Sequence, residues 1–227
     1  MINLLLLVTG LVAILDWLAV WQGWRRVGYL AKPLTIILLF IWLVIRTGMQ
    51  GSALWFGIGL LFSLAGDVFL LFSPRFFMAG LASFSLVHLA YLAGFLTPFP
   101  GGGYVGVMVM GVAISFAATY VMRRITSAQI QRGSSKLARP TMFYGLLISL
   151  MLLSALWTLF RLDWGPFNAI LVSLGALLFY SSDLINAWIR FVNPVRSGRV
   201  VVMITYHAGQ MLLIVGMVLN WYLYSSV

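Results

Sequence analysis

Cysteine and glutamate do not occur in this 227-residue sequence, and the only acidic residues are Asp16, Asp67, Asp163 and Asp183. The absence of cysteine excludes disulfides, thiolate metal sites and a cysteine nucleophile. Charged residues make up 8% of the chain, against about 25% in a soluble domain, so water is not its main solvent. Histidine occurs only as His88 and His207, which leaves acid–base chemistry few candidates. There is no nucleotide-binding glycine loop, no HExxH and no nucleophile elbow, so the familiar motif-bearing soluble enzymes are excluded.

What the sequence does have is apolar length. Hydrophobic residues form 63% of it. A helix needs about 20 apolar residues to cross the hydrocarbon of a bilayer. Eight such runs lie near 2–22, 33–49, 53–73, 77–97, 103–122, 140–160, 165–189 and 200–224. In lipid the backbone must satisfy its own hydrogen bonds, so the runs are predicted to be helices. The fold class is an all-α integral membrane bundle of eight transmembrane helices, a single transmembrane domain over 1–227. The first run is kept as a helix, because no basic flank precedes it and no small-residue cleavage site follows. Turn signals separate the runs at Ser73-Pro74, Pro98 to Gly103, Gly133-Ser134-Ser135, Gly165-Pro166 and Asn193-Pro194.

The net charge of +10 belongs to loops. All but two of the Lys and Arg residues lie at the first, third, fifth and seventh connections; the exceptions are Arg46 and Arg161. This asymmetry reads as membrane orientation rather than nucleic-acid binding, and it places both termini on the non-cytoplasmic side. A weak internal echo joins the halves. Leu30-Ala31-Lys32-Pro33 matches Leu137-Ala138-Arg139-Pro140, Gly66-Asp67 matches Ser182-Asp183, and His88 matches His207. Each pair is four helices apart, as in a parallel 4+4 repeat about an axis along the membrane normal.

Ionisable groups inside a span cost roughly 2.5–3.5 kcal/mol each on insertion scales, and they mark function. Asp67 lies about six residues, or roughly 9 Å, from the cytoplasmic end of its helix. Asp183 and His207 lie at a similar depth, with Asp16 in the same layer, Lys32 at the inner mouth and His88 nearer the middle. Helical spacing puts Ser63 under Asp67, lines up His88 with Tyr91, groups Tyr180, Asp183 and Asn186, and pairs His207 with Gln210. Asp67, Asp183 and His88 are the catalytic candidates. Lys32, Tyr91, Tyr180, His207, Gln210, Asn186 and Arg139 are the substrate-binding candidates. Asp16 and Lys32 read as a structural ion pair or head-group contact. Asp163 and Arg161 read as solvated loop residues, and Trp17, Trp21 and Trp24 as an interfacial belt.

Five ordered segments resemble the YhhN family, whose animal members are the TMEM86 lysoplasmalogenases. They are Lys32-Pro33-Leu34-Thr35, Gly66-Asp67, Ser85-x-x-His88-x-x-Tyr91, Leu178-Phe179-Tyr180-Ser181-Ser182-Asp183 and Tyr206-x-Ala208-Gly209-Gln210. His207 has no counterpart in that pattern. The resemblance implies an integral membrane hydrolase that cleaves the vinyl ether bond of lysoplasmalogen, a lysophospholipid; no cofactor is expected, with a metal ion left open. Two carboxyls with different surroundings would divide acid and base roles, as in glycoside hydrolysis. Other readings of the same residues are a small proton-coupled transporter or flippase, and a metal-dependent lipid hydrolase with His88, His207, Asp67 and Asp183 as ligands. The expected location is a bacterial inner membrane.

Overall fold

A computed structural model describes residues 4–72 and 74–224; Ser73 of the expected Ser73-Pro74 turn lies outside the described residues. Eight helices follow one another: α1 (Leu4–Gln22), α2 (Arg25–Thr47), α3 (Ser52–Phe72), α4 (Phe77–Phe95), α5 (Tyr104–Gln131), α6 (Ala138–Trp157), α7 (Pro166–Phe191) and α8 (Gly198–Tyr224). Each is long and apolar enough to cross a membrane. There is no strand among the described residues.

Two boundaries differ from the hydropathy reading, and both differences have one cause. Hydropathy locates the bilayer, whereas a helix continues until a residue breaks it. α2 starts at Arg25 rather than near 33, with Pro33 inside it. Membrane helices tolerate an internal proline because neighbouring groups satisfy the freed carbonyl. α5 continues through Arg123 and Arg124 to Gln131 and stops before Gly133, whose φ is 72°. Only a residue without a Cβ takes that conformation at no steric cost.

The helices close into a ring. α1 contacts α2, α2 contacts α3, α3 contacts α4, α4 contacts α6, α6 contacts α7, α7 contacts α8, and α8 returns to α1. α8 also reaches α2 and α3, while α5 lies outside the ring against α6 and α7. Several neighbour relations recur on a shift of four helices: α1–α2 with α5–α6, α2–α3 with α6–α7, α3–α4 with α7–α8, and α2–α8 with α4–α6. The recurrence fails at α1, which closes the ring, and α5, which does not.

The α7–α8 interface is the tightest. A Cβ on Gly175 would sit 2.6 Å from the backbone nitrogen of Leu213, and one on Gly209 would sit 2.8 Å from that of Phe179. Backbone cannot move aside as a side-chain tip can. Small residues at such crossings let helices gain dispersion contacts in lipid, where no hydrophobic drive exists between them. Gly209→Val is expected to force the two helices apart at the level of Gly175 and Phe179. A loss of about 1–3 kcal/mol, the usual cost of overpacking, should appear as a lower melting midpoint in detergent. An unchanged midpoint would show that the interface yields freely.

Outside this interface, Arg161 is not the solvated loop residue expected. It is 6% exposed. Its guanidinium donates to the carbonyls of Phe95 (2.5 Å) and Pro98 (3.4 Å) and pairs with Asp163, which ties the α4–α5 loop to the α6–α7 loop. Trp157 donates to the Gly102 carbonyl at 2.8 Å across the same gap.

Candidate active site

The longer α2 changes the surroundings of Asp67. Lys32 is not at the mouth but two turns inside the helix, level with Asp67 on α3. Its Nζ lies 2.8 Å from Asp67 Oδ1. The Tyr206 hydroxyl, from α8, donates to Asp67 Oδ2 at 2.7 Å. The Lys32 ammonium lies 5.3 Å from the Tyr206 ring centroid, within cation–π range. Asp67 has no solvent exposure. The expected Asp16–Lys32 pair therefore does not form: Asp67 takes the lysine.

Asp183, on α7, has a different environment. The Tyr144 hydroxyl, from α6, makes a short hydrogen bond to Asp183 Oδ2. His88 Nε2, from α4, lies 3.0 Å from the Tyr144 oxygen and 3.4 Å from Asp183 Oδ2. With the phenol proton on the carboxylate, His88 Nε2–H is the donor to Tyr144. His88 Nδ1 is buried and has no hydrogen-bond partner among the described residues. Thus one carboxyl is paired with a fixed cation, and the other ends a hydrogen-bonded chain of a phenol and an imidazole.

Both carboxyls line one open cavity, in which the space for water-sized groups is about 80 Å³. Lys32, Tyr206 and Tyr144 line it with them, and Leu70, Leu81, Phe84, Val202 and Met203 form apolar wall. The mouth is marked by Phe77, the first residue of α4, and by Arg190 and Phe191, the last two of α7. That is the arginine-rich end of the bundle. The cavity thus runs from the helix ends inward to a pair of carboxyls, between largely apolar walls.

The remaining candidates divide. Asn186 lines the cavity one turn from Asp183. Tyr91 and Gln210 do not reach His88. Tyr91 donates to Gln210 Oε1 at 2.6 Å, and Gln210 Nε2 donates to Ser63 at 2.8 Å, which links α4, α8 and α3 behind the cavity. Tyr180 is half-buried, with its hydroxyl 3.5 Å from Ser149, and is not part of the lining. Arg139 is exposed at the start of α6 and does not line the cavity either. His207 faces away, toward α1. Trp17 donates to His207 Nδ1 at 3.1 Å, so Trp17 is an internal donor rather than a belt residue, and Asp16 lies 3.9 Å from the same nitrogen. The four residues of the metal reading are therefore not gathered, and no three His or Asp residues come together among the described residues.

Sequence reasoning passed over Tyr144, Tyr206 and Arg190 as site residues. Tyr206 enters the sequence reading only within the segment Tyr206-x-Ala208-Gly209-Gln210. Tyr144 shares a face with Thr141, and two polar residues one turn apart in an apolar run were the signal available. Phe179 was read only as part of a motif. It packs against His88 at 5.2 Å and Tyr206 at 5.6 Å between centroids, and holds the two polar groups apart.

A membrane-spanning bundle with two dissimilar carboxyls in a cavity open at one end defines an integral membrane protein with a carboxyl-lined intramembrane cavity. The chain belongs to the YhhN family, which matches residues 27–217. It is 32% identical over 207 residues to lysoplasmalogenase TMEM86B of Mus musculus, covering 90% of this chain and 80% of that protein. It is 31% identical to the Rattus norvegicus protein of the same name, covering 84% and 72%, and 29% identical to the human one, covering 81% and 72%. No solved structure matches the chain.

Proposed function

We propose that this protein is a lysoplasmalogenase-type hydrolase that cleaves the vinyl ether bond of a lysophospholipid inside the membrane. The observation that carries the reading is the pair of carboxyls, Asp67 with a lysine and Asp183 with a tyrosine–histidine chain, facing one cavity. Relatives that bear the lysoplasmalogenase name over most of their length favour it over a transporter.

Vinyl ether hydrolysis begins with proton transfer to the alkenyl carbon remote from oxygen. The Asp183 carboxyl supplies this proton, and Tyr144 and His88 orient it and stabilise the carboxylate it leaves through their hydrogen bonds. The product is an oxocarbenium ion. Asp67, held as a carboxylate by Lys32, stabilises that positive charge and takes a proton from the attacking water, as the second carboxylate does in glycoside hydrolysis. The hemiacetal then breaks its bond to the glycerol oxygen, which takes the proton held by Asp67, while the hemiacetal hydroxyl returns a proton to Asp183. A fatty aldehyde and a glycerophospholipid head result, with one water consumed. Lys32 acts through Asp67, while Asn186 faces the glycerol part of the substrate. Tyr91, Gln210, Tyr180, His207 and Arg139 have no direct part in this scheme.

The basic loops favour a cavity mouth at the cytoplasmic face, and the membrane proposed for it is a bacterial inner membrane. The deciding experiment is incubation of purified protein with lysoplasmalogen and with the matching acyl lysolipid. Aldehyde from the first and no fatty acid from the second is expected. Fatty acid from the acyl lipid would point to ester hydrolysis instead, and no product from either would remove the enzymatic reading.

A further inference from the structure

The cavity has two cationic residues in its lining, Lys32 and Arg190. They are not equivalent. Lys32 is neutralised by Asp67 at 2.8 Å. Arg190 has no carboxylate within ion-pair distance, since the ion pairs among the described residues use Asp16, Asp67, Asp163 and Asp183 with other partners. Its guanidinium instead stacks on the Phe77 ring at 3.9 Å and lies 5.7 Å from the Phe191 centroid. Two rings thus fix the position of an unneutralised charge at the mouth. A guanidinium stacked on one face keeps its in-plane donors free for a planar or tetrahedral oxyanion.

Its register with the catalytic carboxyl is also defined. Asp183, Asn186 and Arg190 are spaced i, i+3, i+7 on one face of α7, and all three line the cavity. Seven residues rise about 10 Å along a helix, and helical side chains lean toward the N-terminus. Arg190 therefore leans back from the mouth toward Asp183, with Asn186 between them. In a lysolipid the ether oxygen and the phosphate are attached to opposite ends of glycerol. With the vinyl ether at Asp183, glycerol passes Asn186 and the phosphate arrives at Arg190.

Building on the hydrolase reading above, we propose that Arg190, and not Arg139, is the phosphate-recognition residue, and that it selects phosphorylated alkenyl glycerols over neutral ones. Kinetics in maltoside micelles, which hold no phosphate, test this. The substrates are lysoplasmalogen and the same alkenyl glycerol without its phosphoryl head. For the unsubstituted protein, the KM is expected to be at least about ten-fold lower for the phosphorylated substrate, one good charge-assisted contact being worth about a factor of ten. Equal KM values would overturn the proposal without any variant. Arg190→Gln is expected to raise the phospholipid KM about ten-fold with a much smaller change in kcat, and so to abolish the preference. Arg139→Gln should retain it. A preference that survives in Arg190→Gln overturns the proposal, as does an equal loss on both substrates. A loss seen only in phospholipid vesicles would assign Arg190 to bilayer head groups and overturn it too. Absence of aldehyde from either substrate with the unsubstituted protein would instead remove the hydrolase reading itself.

Discussion

Asp67→Asn and Asp183→Asn are each expected to slow aldehyde release from lysoplasmalogen by about 10²–10⁴-fold, the range contributed by one positioned acid or base. Both variants should still elute as folded protein in detergent. The effects should differ in kind. Asp183→Asn keeps an oxygen that can accept from Tyr144, so the hydrogen-bond frame survives and only the transferable proton is lost. Asp67→Asn removes the counter-charge of Lys32 and leaves an ammonium 12% exposed beside an amide, so some loss of stability accompanies the loss of turnover. Vinyl ethers also hydrolyse unaided in acid, so the measurement belongs at neutral pH against a protein-free blank. Rates within a few-fold of the unsubstituted protein for both variants would eliminate carboxyl catalysis at this site.

Lys32→Met is the second large effect, and it bears on stability before chemistry. It leaves the Asp67 carboxylate fully buried, with Tyr206 as its remaining donor. Breaking a buried pair by removing one partner costs about 3–5 kcal/mol, because the other charge remains uncompensated. A marked fall in the melting midpoint in detergent is therefore expected. The double variant Lys32→Met/Asp67→Asn carries no orphaned charge and should recover most of that loss, while releasing no aldehyde. Recovery of stability without recovery of activity separates the pair's structural role from its chemical one. If the single variant melts with the unsubstituted protein, the charge is compensated elsewhere and the Lys32–Asp67 pairing is not what holds α2 against α3.

The proposal divides the labour between two carboxyls by their neighbours. A fixed ammonium suits a group that must stay negative while an oxocarbenium ion forms. A phenol and an imidazole in series suit a group that must lose a proton and regain it. The two sets also correspond on the four-helix shift: α2 and α6 supply Lys32 and Tyr144, α3 and α7 supply Asp67 and Asp183, and α8 and α4 supply Tyr206 and His88. Each carboxyl is met by the preceding helix of its own half and the last helix of the other half. The echo in the sequence therefore coincides with an arrangement in space, although the matched residues are Tyr144 and Tyr206 rather than Arg139 and His207.

The number of crossings, the charge asymmetry between the two faces and the depth of each polar residue were all legible in the chain, because each is a quantity measured along one axis. Apolar run length reports the bilayer, and counting residues from a helix end at 1.5 Å each reports depth. Asp67, Asp183 and His88 were found this way. What a residue faces is a matter of rotation about the helix axis and of which helix stands opposite, and neither follows from hydropathy. Tertiary structure alone turned His207 toward Trp17 and Asp16, took Lys32 from Asp16 and gave it to Asp67, and brought Tyr144 and Tyr206 to the carboxyls. It also put Arg190 rather than Arg139 at the mouth. The physical reason is the same throughout: a buried charge must find its partner across a helix interface, and the interface exists only once the ring of helices has closed.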